Sequence, residues 1–307
     1  MLIATHNVNG IRAAHRRGLA DWLEDRACDV IALQEVRCPI DSLPDAAFGS
    51  YHASYDPGTL AGRNGVAILT RKAPLAIRSW GMHAVVSSPG DTPVPAPHEL
   101  PHKLARELRS FGSEGRYIEV DLTDAPITVA SLYVPKGDSP VAGREGTSSA
   151  VAFARHERKM AFLAGFAREL TRARRAATAR GREYLVMGDF NIAHTPRDLR
   201  NWRTNQTTAG FLPVERDWFT TIVSPRTLVD VVRSLHPEQD GPYSWWSWRG
   251  KAFDSDAGWR IDYHLATPGL ARRAVTAGTD KEASYEGRIS DHAPVLVDYH
   301  LTGLRNT

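Results

Sequence analysis

Short apolar runs alternate with polar turn residues along most of the chain, a pattern typical of strands that are buried on both faces. Eight such runs predict strands, and each is bounded by Gly, Pro, Asn, Asp or other polar residues. The predicted strands are Leu2–Asn7, Val30–Gln34, Gly65–Thr70, Tyr117–Leu122, Ile127–Tyr133, Tyr184–Asp189, Ile261–Ala266 and Val295–Tyr299.

Helical patterns lie between some of these runs. The predicted helices are Gly18–Arg26, Ala150–Arg180 and Pro213–Thr221. The longest has four apolar candidates for its buried face, namely Phe153, Phe162, Phe166 and Leu170. Because strands and helices alternate early and strands cluster later, we expect a mixed α/β layered protein and not a single parallel barrel.

The composition indicates one globular domain. The chain has 307 residues, of which 42% are hydrophobic, and no apolar run approaches the roughly 18 residues of a membrane helix. Its first residues, MLIATHNVNG, lack the features of a secretory signal. Two cysteines, Cys28 and Cys38, make no disulfide framework, so we expect a reduced, cytoplasmic setting. The Pro-rich stretch 87–101 has strand patterns on both sides, which favours a loop within a single domain, 1–307.

Charge changes the picture only locally. The formal net charge is +3 and the pI is near 8.9. The stretch 155–182, however, has nine basic residues against two acidic ones. Such a stretch either follows a nucleic-acid backbone or forms a solvated helix face, and the sequence does not decide between the two.

Polar residues recur where the predicted strands begin or end. The sites are Asn7, Gln34-Glu35, Tyr133, Asp189-Phe190-Asn191, Arg260-Ile261-Asp262 and Ser290-Asp291-His292. A single carboxylate at a strand end is more often a turn or helix cap than a reactive group. Five or six such sites are hard to explain as caps, and strand ends are where side chains of α/β proteins converge on a cleft.

These segments, in their order, resemble the exonuclease III family of AP endonucleases, within the endonuclease/exonuclease/phosphatase superfamily. The motifs that carry the resemblance are Asn7-Val8-Asn9-Gly10-Ile11-Arg12, Leu33-Gln34-Glu35, Tyr133-Val134-Pro135, Gly188-Asp189-Phe190-Asn191, Gly258-Trp259-Arg260-Ile261-Asp262-Tyr263 and Ser290-Asp291-His292-Ala293-Pro294. The resemblance spans residues 3–299. It implies a four-layered α/β sandwich, with two mixed β-sheets packed face to face and helices outside.

The resemblance implies a metal site and its ligands. Glu35 matches the principal metal ligand of the family, Asn9 matches a second metal position that is aspartate in some members, and Asp291 matches a residue that helps to bind metal or water. Mg2+ suits such oxygen ligands, and Mn2+ is an alternative.

Roles for the remaining polar residues follow from the same resemblance. Asp189 would activate the attacking water or handle the proton of the leaving group, and Asn7 would hold Asp189 in place. Asn191 would orient Asp189 and contact the phosphate, which Tyr133 would reach through its hydroxyl. His292 would pair with Asp262, whose charge would raise the imidazole pKa and favour a cation that stabilises the transition state.

The region Tyr243–Asp262 contains four tryptophans. Trp245, Trp259 and Ile261 match the family's pocket for a sugar that has lost its base, whereas Trp246 and Trp248 are as well explained by core packing. Asn205 matches a residue that contacts a DNA phosphate, and Arg63 lies in a loop expected to touch the backbone. The bulk of Trp259 favours a tight pocket and a preference for abasic sites.

The sequence therefore predicts a Mg2+-dependent, monomeric enzyme that cleaves double-stranded DNA at abasic sites and processes 3′ ends. Three alternatives remain open: a 3′-5′ exonuclease with weak cleavage at abasic sites, another nuclease or phosphatase of the superfamily, and a non-catalytic binding module. A binding module would be expected to have lost at least one of the key polar residues. The stretches 81–116 and 137–149 are longer than the corresponding family loops, and their effect on DNA binding stays open.

Overall fold

The computed structural model describes residues 1–97, 103–140 and 148–302. Parts of the two long loops, 98–102 and 141–147, lie outside the described residues. Within the described ranges the strands, in chain order, are β1 (Leu2–Asn7), β2 (Val30–Gln34), β3 (His52–Asp56), β4 (Val66–Thr70), β5 (Ala76–Ser79), β6 (Val85–Ser87), β7 (Val94–Pro95), β8 (Tyr117–Asp121), β9 (Ile127–Tyr133), β10 (Glu183–Asp189), β11 (Val229–Asp230), β12 (Asp262–Ala266), β13 (Ala274–Thr279) and β14 (Val295–Tyr299).

The helices are α1 (Ile11–Arg16), α2 (Leu19–Arg26), α3 (Ser149–Ala179), α4 (Pro213–Ile222), α5 (Val231–Leu235) and α6 (Pro268–Ala271). Short 3-10 helices cover Ile40–Ser42, Arg106–Phe111, Pro196–Asp198 and Trp202–Thr204. All eight predicted strands and all three predicted helices are present, with bounds shifted by at most one residue at either end. None of the helices in the described part of the chain is both long enough and apolar enough to cross a bilayer.

Two mixed sheets form the framework. The larger sheet has eight strands in the order β13-β14-β1-β2-β4-β3-β6-β7, and the smaller has six in the order β11-β12-β10-β9-β8-β5. One neighbouring pair in each sheet is parallel, β1–β2 in the larger and β9–β10 in the smaller. β1 and β2 pack across β10 and β9, so the sheets lie face to face.

Three apolar clusters fill the layers of this sandwich. One lies between the sheets, and includes Ile3, Val129 and Val297. A second joins α3 and α4 to the outer face of the smaller sheet, and a third joins α1 and α2 to the outer face of the larger sheet. The predicted architecture, an α/β sandwich of two mixed sheets flanked by helices, is confirmed.

The prediction for the buried face of α3 was correct for three residues and wrong for Phe153. Phe162, Phe166 and Leu170 are buried, whereas Phe153 is 54% exposed. The buried face runs through Ala152, His156 and Lys159, so Phe153 is one position off it, about 100° around the helix. His156 and Lys159, which are polar, thus lie on the face for which the sequence predicted the apolar Phe153.

Candidate active site

The candidate site lies at one edge of the sandwich, where the carboxyl ends of both parallel strand pairs meet. β1 and β2 end at Asn7 and Gln34 in the larger sheet, and β9 and β10 end at Tyr133 and Asp189 in the smaller one. Parallel neighbours end on the same side of a sheet. Because the two sheets face each other, these polar strand ends converge on one cleft.

Antiparallel neighbours bring the remaining polar residues to the same edge. β12 runs antiparallel to β10, and its register sets Asp262 directly opposite Asp189. β14 runs antiparallel to β1, so the segment preceding β14 returns beside the end of β1. There the Ser290 hydroxyl donates to the Asn7 carbonyl oxygen at 2.7 Å, which fixes Asp291 and His292 over the cleft.

Gly188 permits this convergence. Its backbone has a φ of 138°, and a Cβ atom at this position would lie 2.0 Å from the Leu132 carbonyl oxygen of the neighbouring strand. No side chain fits at that distance, so the approach of β10 to β9 requires glycine here. The position of Asp189 therefore requires the glycine that precedes it.

A buried triad of side chains forms the floor of the cleft. The His292 Nδ1 is 2.8 Å from Asp262 Oδ2, and the His292 Nε2 is 3.8 Å from Asp189 Oδ2. The Ser244 hydroxyl also donates to Asp262 Oδ2, at 2.6 Å. The imidazole therefore stands between two carboxylates, one bonded to it and one facing its outer nitrogen.

Burial and charge shift the pKa values of this triad. Burial would lower the pKa of His292, but the charge and hydrogen bond of Asp262, with the charge of Asp189, outweigh it and raise the pKa to about 9. Burial also raises the pKa of Asp189 to about 7, against the opposing effect of the positive charge on His292. The site thus combines an imidazolium with a carboxyl group that titrates near neutrality.

Asn7 links the triad to Glu35. Its side-chain NH2 group donates to Asp189 Oδ2 at 2.9 Å and to Glu35 Oε1 at 3.2 Å. Its side-chain oxygen accepts the backbone N–H of Asn9 at 3.0 Å. Each polar atom of this amide is used, so a single conformation of Asn7 orients two carboxylates from different strands.

Asn191 lies on the other side of Asp189 and bonds to both of its carboxylate oxygens. Its backbone N–H donates to Asp189 Oδ1 at 2.8 Å, and its side-chain NH2 group donates to the Val134 carbonyl oxygen at 2.9 Å and to Asp189 Oδ2 at 3.2 Å. Tyr133 lines the cavity nearby. Burial, together with the charge of Asp189, raises the pKa of Tyr133 to about 12, so its hydroxyl stays protonated and can donate.

Left-handed backbone conformations concentrate at this cleft. Of the eight non-glycine residues with positive φ in the described part of the chain, four lie here. They are Asn9 (47°), Glu35 (51°), Arg37 (52°) and Asn191 (51°). Asparagine tolerates this region, but it costs a glutamate or arginine about 1–3 kcal/mol. The surrounding hydrogen bonds hold Glu35 and Arg37 in place despite that cost.

Arg37, which the sequence analysis did not single out, lies among the predicted metal ligands. Its guanidinium forms an ion pair with Glu35 and donates to Asn9 Oδ1 at 2.6 Å. The Asn9 NH2 group donates to Asp291 Oδ1 at 2.8 Å. Although burial opposes it, the charge of His292 and the hydrogen bonds to Asp291 keep the pKa of that carboxyl low.

The opposite wall of the cavity is apolar. Trp245, Trp259 and Ile261 line it, and the two indole rings meet edge to face with centroids 6.2 Å apart. Gly210 completes this wall; a Cβ atom there would lie 3.2 Å from the Trp259 ring and 3.1 Å from the Asn191 carbonyl oxygen. The cavity, of about 200 Å³, is therefore narrow on this side.

A fully buried ion pair supports both walls from below, and sequence reasoning missed it. Lys159 and Glu215 are both 0% exposed, and the Lys159 Nζ is 2.7 Å from Glu215 Oε1. Lys159 also donates to the Asn191 carbonyl oxygen at 2.9 Å. The other oxygen of Glu215 accepts the backbone N–H of Gly210 at 2.6 Å. One ion pair thus fixes a residue of each wall.

The predicted site residues divide into three groups by position. Those that line the cavity are Asn9, Glu35, Tyr133, Asp189, Asn191, Trp245, Trp259, Ile261, Asp291 and His292. Asn7 and Asp262 lie behind them, bonded to Asp189 and His292. Arg63 and Asn205 do not line the cavity. Arg63 is exposed in a turn, and the Asn205 side chain bonds within its own loop, to the Asn201 carbonyl oxygen at 2.8 Å.

The other two tryptophans of the region differ from each other. Trp246 is 1% exposed and packs against Phe253, so it belongs to the core. Trp248 is half-buried, with the guanidinium groups of Arg17 and Arg288 over its ring.

The donor set fits a hard divalent cation. Glu35, Asp291, Asn9 and Asn191 line one cavity, and carboxylate and amide oxygens are ligands that suit Mg2+. Among the described residues, Asp189, Asp262 and His292 also bring possible ligand atoms within 4.8 Å of one another. Because Asp262 is already bonded to His292, the side of the cavity with Glu35 offers the better set.

The basic stretch 155–182 is largely ion-paired. Six of its arginines pair with carboxylates: Arg155 with Asp138, Arg158 with Glu114, Arg168 with Glu107, Arg172 with Glu169, and Arg180 and Arg182 with Asp121. Lys159 is buried. These contacts favour the interpretation of a charged, solvated helix face over a track for a nucleic-acid backbone.

Comparison with known proteins agrees with this geometry. The family model described as "Endonuclease/Exonuclease/phosphatase family" matches residues 4–292. The chain is 27% identical to an exodeoxyribonuclease of Bacillus subtilis (96% of this chain, 98% of the relative) and 28% identical to exodeoxyribonuclease III of Haemophilus influenzae (97% and 100%). It is similar to the solved structure of an AP endonuclease from Archaeoglobus fulgidus, with a TM-score of 0.73 and 26% identity over 97% of this chain and 99% of that one.

A family match over nearly the whole chain, together with a cleft that holds each of the key polar residues, settles the classification. The chain belongs to the endonuclease/exonuclease/phosphatase family and, within it, to the exonuclease III group of AP endonucleases, which are hydrolases.

Proposed function

We propose that this protein is a Mg2+-dependent phosphodiesterase that cleaves double-stranded DNA on the 5′ side of abasic sites and also processes 3′ ends. The observation that carries the proposal is the position of the Asp189–His292–Asp262 triad directly beside an apolar cavity walled by two tryptophans. The hydrolytic groups and a pocket for a base-free sugar would then contact the same nucleotide.

In this proposal Asp189 takes the proton of the attacking water. Its pKa of about 7 suits a general base near neutral pH. The Asn7 and Asn191 amides hold the carboxylate in place. Charge then develops on the phosphate oxygens, and the His292 imidazolium, maintained by Asp262, stabilises it.

The metal site consists of Glu35, with Asn9 and Asp291 beside it. A bound Mg2+, or Mn2+ in its place, would supply positive charge to the phosphate and the leaving oxygen. Tyr133 donates to the phosphate from the other side, where Asn191 also contacts it.

Trp245, Trp259 and Ile261 enclose the sugar. A cavity of about 200 Å³ next to Gly210 and Trp259 admits a flipped deoxyribose without its base more readily than an intact nucleotide. Arg63 and Asn205, which lie away from the cavity, are proposed to contact the flanking backbone. We further expect a monomer that acts in the cytoplasm.

The main alternative is a 3′-5′ exonuclease with weak cleavage at abasic sites. The relatives named exodeoxyribonuclease favour it, and the structure named AP endonuclease favours the first proposal. Another nuclease or phosphatase of the family is a third possibility.

A duplex oligonucleotide with one tetrahydrofuran abasic analogue separates these activities. Incision is followed with Mg2+, with EDTA and with the Asp189→Asn variant, alongside an undamaged duplex with a recessed 3′ end. Strong, Mg2+-dependent incision that the variant loses is the expected result. Rapid 3′ shortening with little incision would favour the exonuclease. No cleavage of either DNA would contradict both and direct the search to phosphatase substrates.

A further inference from the structure

A continuous chain of polar contacts runs from the apolar wall of the cavity to the predicted metal ligand Glu35. The Trp245 indole N–H donates to Asp291 Oδ2 at 3.0 Å, and the Asn9 NH2 group donates to Asp291 Oδ1 at 2.8 Å. Arg37 donates to Asn9 Oδ1 at 2.6 Å and forms an ion pair with Glu35. All five side chains line the cavity.

The partners of Asn9 fix the orientation of its amide. A carboxylate can only accept and a guanidinium can only donate, so the NH2 group must face Asp291 and the oxygen must face Arg37. An amide is the side chain that joins an acceptor to a donor in this way. The orientation in turn aims the Arg37 guanidinium at Glu35.

As a result, each of the three predicted metal ligands is in contact with a protein donor. Both oxygens of Asp291 accept hydrogen bonds, the oxygen of Asn9 is bonded to Arg37, and Glu35 is contacted by Asn7 and Arg37. A divalent cation that binds Glu35 must therefore compete with the positive charge of Arg37, which contacts the same carboxylate.

Arg37 is the donor best placed to leave. Its side chain is 38% exposed, whereas the Glu35 side chain is 9% exposed. Its backbone stays anchored, because its N–H donates to the Asn64 carbonyl oxygen at 2.8 Å. The guanidinium can therefore rotate into solvent without moving the strand end that carries Glu35.

We propose that Arg37 is a built-in counter-cation of the metal site, which neutralises Glu35 in the ion-free protein and leaves when a divalent cation binds. The inference rests on the metal requirement in the proposed function. Metal binding is then an exchange of one cation for another, and the affinity for the metal is lowered by the strength of the Arg37–Glu35 contact. Without Arg37 the Glu35 carboxylate would be partly buried and uncompensated, and would attract a divalent ion more strongly.

The test is calorimetric titration of MgCl2, and separately MnCl2, into the DNA-free, full-length protein at low ionic strength. Arg37→Met keeps the length of the side chain and removes its charge, and Arg37→Lys keeps the charge. Because a partly exposed ion pair contributes up to about 1 kcal/mol, Arg37→Met is expected to bind the ion about three- to fivefold more tightly. Arg37→Lys should remain close to wild type. Arg226→Met, which removes an exposed arginine outside the cavity, is the matched control and should not differ.

A second measurement follows Arg37 itself. Its side-chain Nε–H signal in 15N–1H NMR spectra is assigned by its absence in Arg37→Met. The signal should shift as Mg2+ is added, and the dissociation constant from this shift should equal the one found by calorimetry. Thermal unfolding checks that the variants are folded.

The outcomes are distinguishable. Equal or weaker metal binding by folded Arg37→Met, or an Nε–H signal that does not respond to Mg2+, would overturn the counter-cation role while leaving the proposed function intact. If the wild-type protein binds neither Mg2+ nor Mn2+, the metal requirement fails and this inference fails with it.

Discussion

The two walls of the cavity differ in how they are built. The polar wall is carried largely by strand ends; Asp189 and Asn7 each have several hydrogen-bond partners, and His292 is bonded to Asp262. The apolar wall is carried by connecting segments, in which Trp245 and Trp259 meet through isolated bridges. The contrast teaches that hydrogen bonds between side chains fix the geometry of the polar wall, whereas the shape of the apolar wall depends on backbone pairing and ring packing. We expect the polar wall to set the rate and the apolar wall to set the substrate.

The largest effect is expected from the polar wall. Asp189→Asn removes the proposed general base and should lower kcat about 10³-fold for abasic and undamaged substrates alike. Single-turnover kinetics on both duplexes measure this. Asp217→Asn, which alters an exposed carboxylate of α4, should stay within about twofold of wild type. A loss confined to one of the two substrates would contradict the division of roles between the walls.

The ion pair below both walls should affect stability most. Lys159→Met leaves Glu215 buried without its cation, which should lower the free energy of unfolding by about 3–5 kcal/mol. Urea denaturation of this variant, with the exposed Lys72→Met as control, measures the loss.

The double variant Lys159→Met/Glu215→Gln removes both charges together, so it should recover part of that stability. Asn191 would still have lost the Lys159 donor to its carbonyl oxygen, so cleavage should stay slower than in wild type. Full recovery of both stability and cleavage rate would mean that the ion pair does not position the walls.

The dependence on pH probes the polar wall alone. As pH rises through about 7, Asp189 ionises and kcat/KM should increase, by up to about tenfold per pH unit below that value. As pH rises through about 9, His292 loses its proton and the rate should fall again. His292→Gln should remove the alkaline limb and keep the acidic one.

The same histidine gives a stability prediction. Its pKa is higher in the folded protein than the 6.5 of an unperturbed histidine. Its contribution is therefore fully present below pH 6.5 and is lost as pH rises through about 9. Urea denaturation at pH 6.5 and pH 9.5 should show a larger alkaline loss in wild type than in His292→Gln.

The smallest effect, and the most selective, is expected from the apolar wall. Trp259→Leu widens the cavity, so the ratio of abasic incision to 3′ shortening of undamaged duplex should fall about tenfold. Trp202→Leu, which changes a neighbouring tryptophan that does not line the cavity, serves as the control. An unchanged ratio in Trp259→Leu, or efficient 3′ digestion of undamaged duplex by the wild-type protein, would contradict a tight abasic pocket.

The walls also differ in how far the sequence predicts them. The polar wall sits on continuous apolar runs such as Tyr184–Asp189, so both the strands and their polar ends are visible in the sequence. The short strands β6, β7 and β11 have few buried residues to mark them, and β13 lies at a sheet edge, so no apolar run reveals them.

The sequence patterns do not predict contacts between distant segments. Lys159 looks like one more basic residue of a charged helix, and only the packing of α3 against α4 shows that it meets Glu215. Arg37 follows Glu35 closely, but the sequence does not tell where its guanidinium points. Side-chain direction depends on the left-handed backbone at both residues, which the residue types themselves disfavour.

The arrangement of β1 between β14 and β2 has a consequence for synthesis of the protein in the cell. Asn7 and Asn9 lie more than 280 residues before Asp291 and His292 in the chain. Contacts between such distant segments form late, because the whole intervening chain must be present and ordered first. A nascent or prematurely terminated chain that stops before Asp291 would hold only an incomplete cleft. The order of the strands therefore makes completion of the cleft a late step in the folding of the chain.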